Sequence, residues 1–126
     1  MATHAATDAT FNDLVEKNPI VLIDFWAEWC GPCKRFAPVF EAASDKHQDV
    51  VFAKVDTEAE PALAGAFGIR SIPTLMVFRD QVLIFQQAGS LPAAALDELI
   101  TKVKDLDMDK VRAEIAAHEK SQSGAA

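Results

Sequence analysis

Seven consecutive residues restrict the fold more than any others in the chain. Ile20-Val21-Leu22-Ile23-Asp24-Phe25-Trp26 is apolar on both of its alternating faces. A strand with one wet face alternates apolar and polar residues, whereas a strand covered on both sides reads as a continuous apolar run. The segment is therefore a central strand with packing partners above and below. Residues 50–55 repeat the pattern. Between the two, residues 33–47 turn helical, with Phe36, Val39, Phe40 and Ala43 at three- and four-residue steps. Pro38 lies inside that pattern and is expected to kink the helix, because it removes a donor and crowds the preceding turn. A strand–helix–strand crossover of this length joins parallel strands.

The flanking segments complete an α/β fold. Residues 8–17 read as a short helix, with Phe11, Leu14 and Val15 on one side, Asp8 as N-cap, and Asn18-Pro19 as the stop. Residues 58–66 read as another, with Gly65 and Gly68 near its exit. Residues 74–78 and 82–85 are strands separated only by Arg79-Asp80-Gln81, a connection so short that it forces an antiparallel hairpin. Asp-Gln is a weaker turn signal than Asp-Gly or Asn-Gly. Pro92 starts a helix whose inner face carries Leu96, Leu99, Ile100 and Val103. Beyond it, Met108, Val111 and Ile115 share one face of an extra helix over residues 107–119, with Asp107 placed to cap it. The expected architecture is a central mixed sheet of four or five strands flanked by α-helices. A chain of 126 residues is one domain's length. It divides into a domain at 1–106, a helical extension at 107–120 and a frayed tail at 121–126.

Charge narrows the function classes. Twelve Lys and Arg against nineteen Asp and Glu leave a net charge of −7. An acidic surface disfavours both nucleic-acid backbones and anionic lipid, so neither is expected as a partner. No run approaches the ~18–20 apolar residues of a membrane span. Residues 1–8 have neither a basic nor an apolar stretch of the signal-peptide kind, so a cytoplasmic location is expected. Paired cysteines there are more often catalytic or metal-binding than structural.

Cys30 and Cys33 are the only cysteines, and they stand where the first central strand gives way to the helix. A bridge between them closes too small a ring to constrain the unfolded chain much, so it suits a bond made to be broken. Cys30 falls at the helix N-terminus, where unpaired N–H groups and the helix dipole favour a thiolate. Cys33 lies one turn inside and is expected to be the less exposed. That makes Cys30 the attacking thiol and Cys33 the resolving one. Pro32 starts the helix with a residue that needs no N–H partner. Zinc would need four ligands. His47 alone has a fitting spacing, while His4 and His118 sit at the chain ends, so no metal is expected.

Asp24 is the second anomaly, a carboxylate inside an apolar strand. Burial of a lone carboxylate raises its pKa, and strongly perturbed groups cluster at active sites. Lys54 interrupts the other central strand in the same way and is the expected charge partner; the bland reading is a structural Asp satisfied by a hydrogen bond.

Asp24-Phe25-Trp26-Ala27-Glu28-Trp29-Cys30-Gly31-Pro32-Cys33-Lys34 resembles the active-site segment of the thioredoxin family. Pro38 matches the family's helix proline, and Phe67-Gly68-Ile69-Arg70-Ser71-Ile72-Pro73-Thr74 resembles its proline loop. The likeness spans about residues 7–104. It implies the thioredoxin fold, with a further short strand near residues 4–6 and a cis bond at Ile72-Pro73. It implies protein-disulfide reduction without an organic cofactor, by a chain expected to be monomeric and recharged by a reductase such as thioredoxin reductase. It assigns Asp24 to take the Cys33 proton with Lys54 tuning its charge. Gly31 and Pro32 between the cysteines resemble reducing members. Trp29, Ile72 and Gly89 would form an apolar rim, with the backbone at Pro73 pairing with the substrate chain. Three departures bear on partner choice: Ser71 replaces a common glycine, the hairpin lacks Asn-Gly, and the chain runs some twenty residues past the family's usual end. A reductant dedicated to one partner and a redox-inert docking module are the rival readings, the latter disfavoured by the intact cysteine pair.

Overall fold

The computed structural model describes residues 2–124. The element order is β1 (Thr3–Ala5), α1 (Phe11–Lys17), β2 (Ile20–Trp26), α2 (Gly31–Lys46), β3 (Val51–Asp56), α3 (Pro61–Ala66), β4 (Thr74–Arg79), β5 (Val82–Ala88), α4 (Ala93–Lys104) and α5 (Met108–Gly124). The strands form one five-stranded sheet in the order β1-β3-β2-β4-β5. β3 runs parallel to both β1 and β2, whereas β4 pairs antiparallel with β2 and with β5. The central run thus has a strand on each side.

Alternation along β2 assigns the two helical layers. Ile20 and Leu22 pack with Phe36, Phe40, Leu96 and Ile100 of α2 and α4. Val21, Ile23 and Phe25 pack with Phe11, Val15 and Leu63 of α1 and α3. Asp24 keeps step with Ile20 and Leu22, and Lys54 with Phe52, so both belong to the α2 layer. The ends of α2 and α4 are tied by charge. Lys104 Nζ donates to His47 Nδ1 at 3.3 Å, which leaves His47 Nε2–H to donate to Asp97 at 3.1 Å.

Several boundaries differ from expectation for local reasons. Thr10, not Asp8, occupies the N-cap of α1, and it makes no side-chain capping bond. Asp8 instead donates its N–H to Glu60. α3 begins at Pro61, the residue that needs no N–H partner, rather than at 58. Pro92 stands one position earlier than expected, as the N-cap of α4. β5 continues to Ala88, and β1 covers Thr3–Ala5 rather than 4–6. α2 runs through Pro38 without ending. α5 is assigned through Gly124 where a frayed tail was expected from 121, and residues 125 and 126 lie outside those described.

The hairpin turns on Asp80 and Gln81, with φ of 50° and 69°. Two successive left-handed residues make the turn whose twist matches paired strands, and glycine suits it better than glutamine. The extension is anchored at this end of the sheet. Arg79 Nη1 donates to the carbonyls of Val103, Lys104 and Leu106, closing the end of α4. Arg112 Nη1 reaches Asp80 at 3.9 Å. Asp107 accepts the N–H of Lys110, the expected cap, and Met108 is 5% exposed. From Arg112 to Lys120 the residues are exposed, so among residues 108–120 of α5 the buried side chain lies in the first turn.

Gln81→Gly is expected to raise stability by about 1 kcal/mol by relieving a left-handed side-chain residue, read as a higher urea midpoint with unchanged m. Truncation after Leu106 removes Met108 and is expected to cost about 2 kcal/mol, whereas truncation after Ala113 leaves the melting temperature nearly unchanged. Equal melting temperatures for the two truncations would show that the first turn is not what holds α5.

Candidate active site

Parallel pairing brings the ends of β2 and β3 to one edge of the sheet. Trp26 stands opposite Asp56, so the chain leaving β2 and the chain leaving β3 emerge side by side. The antiparallel partner adds its beginning: Phe25 stands opposite Thr74, which places the Ile72-Pro73 loop at the same edge. Three loops distant in sequence meet there, and they carry most of the residues singled out above.

Cys30 and Cys33 are joined in a disulfide, with Cα atoms 5.2 Å apart. Cys30 is the N-cap of α2, and the N–H of Cys33 donates to its sulfur at 3.1 Å. Cys30 Sγ also lies 3.6 Å from the carbonyl oxygen of Ile72. The Ile72-Pro73 bond is cis, as the resemblance implied. The expected difference in exposure between the cysteines is absent in this disulfide state: they are 3% and 2% exposed. Ala27, Trp26 and Ile72 pack around the bridge and cover both sulfurs. The zinc alternative fails on distance. His47 caps the far end of α2, fourteen residues beyond Cys33, and a helix rising ~1.5 Å per residue puts it about 21 Å from that cysteine.

Trp29 is 69% exposed, the most open large apolar side chain described, and Ile72 is half-buried beside the bridge. Gly89 donates its N–H to Pro73 O at 2.7 Å, tying the loop after β5 to the proline loop. Its φ of 101° favours glycine, while a Cβ there would meet open space. Sequence reasoning missed Glu58. Its carboxylate accepts the Trp29 indole N–H at 2.7 Å and fixes the exposed ring. Asp56 shapes that loop by accepting the N–H groups of Glu58 and Ala59. The usable signal was topological, since residues following a strand parallel to β2 must emerge beside those following β2.

Asp24 is completely buried, and among the described residues neither of its carboxylate oxygens has a hydrogen-bond partner. No described protein group supplies the hydrogen bond that a satisfied structural Asp would need. The expected pairing with Lys54 is only half present. The residues are register partners across β2 and β3, yet Lys54 Nζ sits 4.7 Å from the Trp26 ring centroid, and among the described residues no ion pair joins it to Asp24. Burial raises the Asp24 pKa from 3.8 to about 7, against a smaller lowering by the Lys54 charge.

The thioredoxin family's sequence profile matches residues 2–102. The chain belongs to the thioredoxin family. A relative in Streptomyces coelicolor, provisionally named thioredoxin 2, is 54% identical over 123 residues, covering 98% of this chain and 91% of its own length. That span takes in α5. Thioredoxin 1 of Synechococcus elongatus is 43% identical over 100 residues, covering 78% of this chain and 94% of its own. Among solved structures, a mutant thioredoxin from Halobacterium salinarum superposes with a TM-score of 0.77 at 34% identity, over 82% of this chain and 92% of that one. Plasmodium falciparum thioredoxin gives 0.73 at 36% identity, over 79% and 97%. The chain has the thioredoxin fold with an added C-terminal helix, and it is a protein thiol–disulfide oxidoreductase. No helix among the described residues is long and apolar enough to cross a membrane.

Asp24 makes stability depend on pH. Its folded pKa lies above the unfolded value, so the native chain holds a proton that the unfolded chain has lost between pH 4 and 7. The Asp24 contribution is fully favourable below that interval, falls by about 1.4 kcal/mol per pH unit within it, and levels off above. Asp24→Asn is therefore expected to gain stability relative to the native chain as pH rises from 4.5 to 8, measured by urea unfolding. A pH-independent difference would contradict the raised pKa.

Proposed function

We propose that this protein acts as a reductant of protein disulfides. The Cys30 thiolate attacks one sulfur of a substrate disulfide and forms a mixed disulfide, while the other substrate sulfur leaves as a thiolate and takes a proton. Cys33 then attacks Cys30 Sγ, closing the internal disulfide and releasing the second substrate thiol. Two electrons pass from the Cys30–Cys33 dithiol to the substrate. The observation that carries the assignment is the N–H of Cys33 directed at Cys30 Sγ at the start of α2. A first-turn donor and the positive end of a helix both favour a negative sulfur there.

Asp24 is the proposed acceptor of the Cys33 proton, through water. It lies in the α2 layer, and a group with a pKa about 7 can both take and return a proton near neutrality. Lys54 moderates its charge from the neighbouring strand. Gly31 and Pro32 shape the short link between the sulfurs. Trp29, Ile72, Pro73 and Gly89 form the rim that receives the substrate chain. The natural recharging partner is a thioredoxin reductase, and a reducing compartment such as the cytoplasm suits a dithiol that must be regenerated. We assign the chemistry to residues 1–106, acting as a monomer. The extension from 107 is anchored at the opposite end of the sheet, beside the hairpin turn.

Insulin reduction with dithiothreitol as electron donor tests the reading. The native protein is expected to accelerate insulin precipitation, and Cys30→Ser to abolish that acceleration. Cys33→Ser is expected to stall as a mixed disulfide that survives denaturing, non-reducing gel electrophoresis. Trapping by Cys30→Ser instead would reverse the two roles, and an inactive native protein would return the docking-module reading.

A further inference from the structure

The arginines of this chain are Arg35, Arg70, Arg79 and Arg112. Arg79 closes the end of α4, and Arg112 pairs with Asp80 and Asp109. Arg35 and Arg70 have no ion pair or side-chain hydrogen bond with any described residue. Arg35 stands beside the redox centre, and Arg70 belongs to the proline loop that reaches it. Arg35 Nη1 lies 3.6 Å from the position a Cβ on Gly31 would take, so its guanidinium rests over the backbone between the two cysteines. Arg70 is two residues ahead of Ile72, whose carbonyl touches Cys30 Sγ. It lines an open groove of about 300 Å³ together with Ser71, Thr74, Gln86 and Ala88. Thr74 and Ala88 are the paired residues at the active-site end of the β4–β5 hairpin, so the groove adjoins the rim proposed for substrate.

Two carboxylates near that rim have partners other than these arginines. Glu28 faces Lys34 at 3.6 Å, and Glu58 holds the Trp29 indole. The other nearby cations are engaged too, Lys34 with Glu28 and Lys54 with the Trp26 ring. Two exposed guanidiniums thus remain uncompensated in a chain whose net charge is −7. Guanidinium groups bind carboxylates with forked, directional hydrogen bonds, and uncompensated charge beside a site orients an approaching partner.

We propose that Arg35 and Arg70 select substrates whose reactive disulfide is flanked by Asp or Glu side chains. This rests on the reductant reading above and adds to it a class of preferred substrate segment.

The test uses three disulfide-bridged peptides that differ only in the residues flanking one cysteine, which are Glu, Gln or Lys. Single-turnover second-order rate constants are measured with the reduced protein by tryptophan fluorescence, at low salt and at 1 M NaCl. The native protein is expected to reduce the Glu peptide about 5-fold faster than the Lys peptide at low salt, a modest share of the range that charge complementarity gives association rates. That ratio is expected to fall below about 2 in R35Q/R70Q, and likewise for the native protein at 1 M salt, where the screening length is ~3 Å. A native ratio near one, a preference for the Lys peptide, or a ratio unchanged in the double variant would overturn the proposal. Failure of the native protein to reduce even the Gln peptide would overturn the reductant reading itself.

Discussion

The structure depends on the enclosure of β2. Its backbone pairs with β3 on one side and β4 on the other, and both of its faces are covered. Val21, Leu22, Ile23 and Phe25 are completely inaccessible to solvent. Burial of a Val, Leu, Ile or Phe side chain contributes about 1.5–3 kcal/mol, so this strand supplies a large part of the drive to fold. Its register is correspondingly strict, since a slip of one residue would exchange the contents of the two layers and move Asp24 into the α1 layer.

That strictness is also what delivers the chemistry. The strand ends at Trp26, and the next four residues lead to Cys30 at the start of α2. Because β3 is parallel and β4 antiparallel to β2, their pairing puts the Glu58 loop and the proline loop at the same edge. Helix start, indole anchor and proline loop are thus positioned by rigid strands. This suits a reaction in which a sulfur must meet an incoming disulfide in a defined direction.

Asp24 shows the cost of placing a carboxylate inside such a strand. A buried carboxylate with no hydrogen-bond partner among the described residues opposes folding whenever it is ionised, and the pKa raised by burial to about 7 expresses that opposition. Lys54 eases it from the adjacent strand without touching it, because its ammonium lies over Trp26. A direct ion pair would pull the carboxylate back toward its ordinary acidity and remove its capacity to exchange protons near neutrality. The separation therefore leaves the raised pKa in place, as the proposed role of Asp24 toward Cys33 requires.

Much of this was legible from residue order alone. The two apolar runs, each interrupted by a single charged residue, meant a covered central pair, the crossover between them meant parallel strands, and the three-residue connection after Phe78 meant a hairpin. The cysteines at a strand–helix junction pointed to disulfide chemistry before any resemblance was considered, because local chain geometry governs a pair three residues apart. Tertiary structure alone decided the rest. It brought Glu58 to Trp29 and the Ile72 carbonyl to Cys30, contacts between residues 29 and 42 positions apart. It hid both sulfurs equally, although helix position alone made one look more open. It also set Lys54 over an aromatic ring when charge alone suggested an ion pair with Asp24. The physical reason is common to all of these. Periodicity and spacing report which face a residue occupies, whereas the partner it meets there depends on how separate segments are packed together.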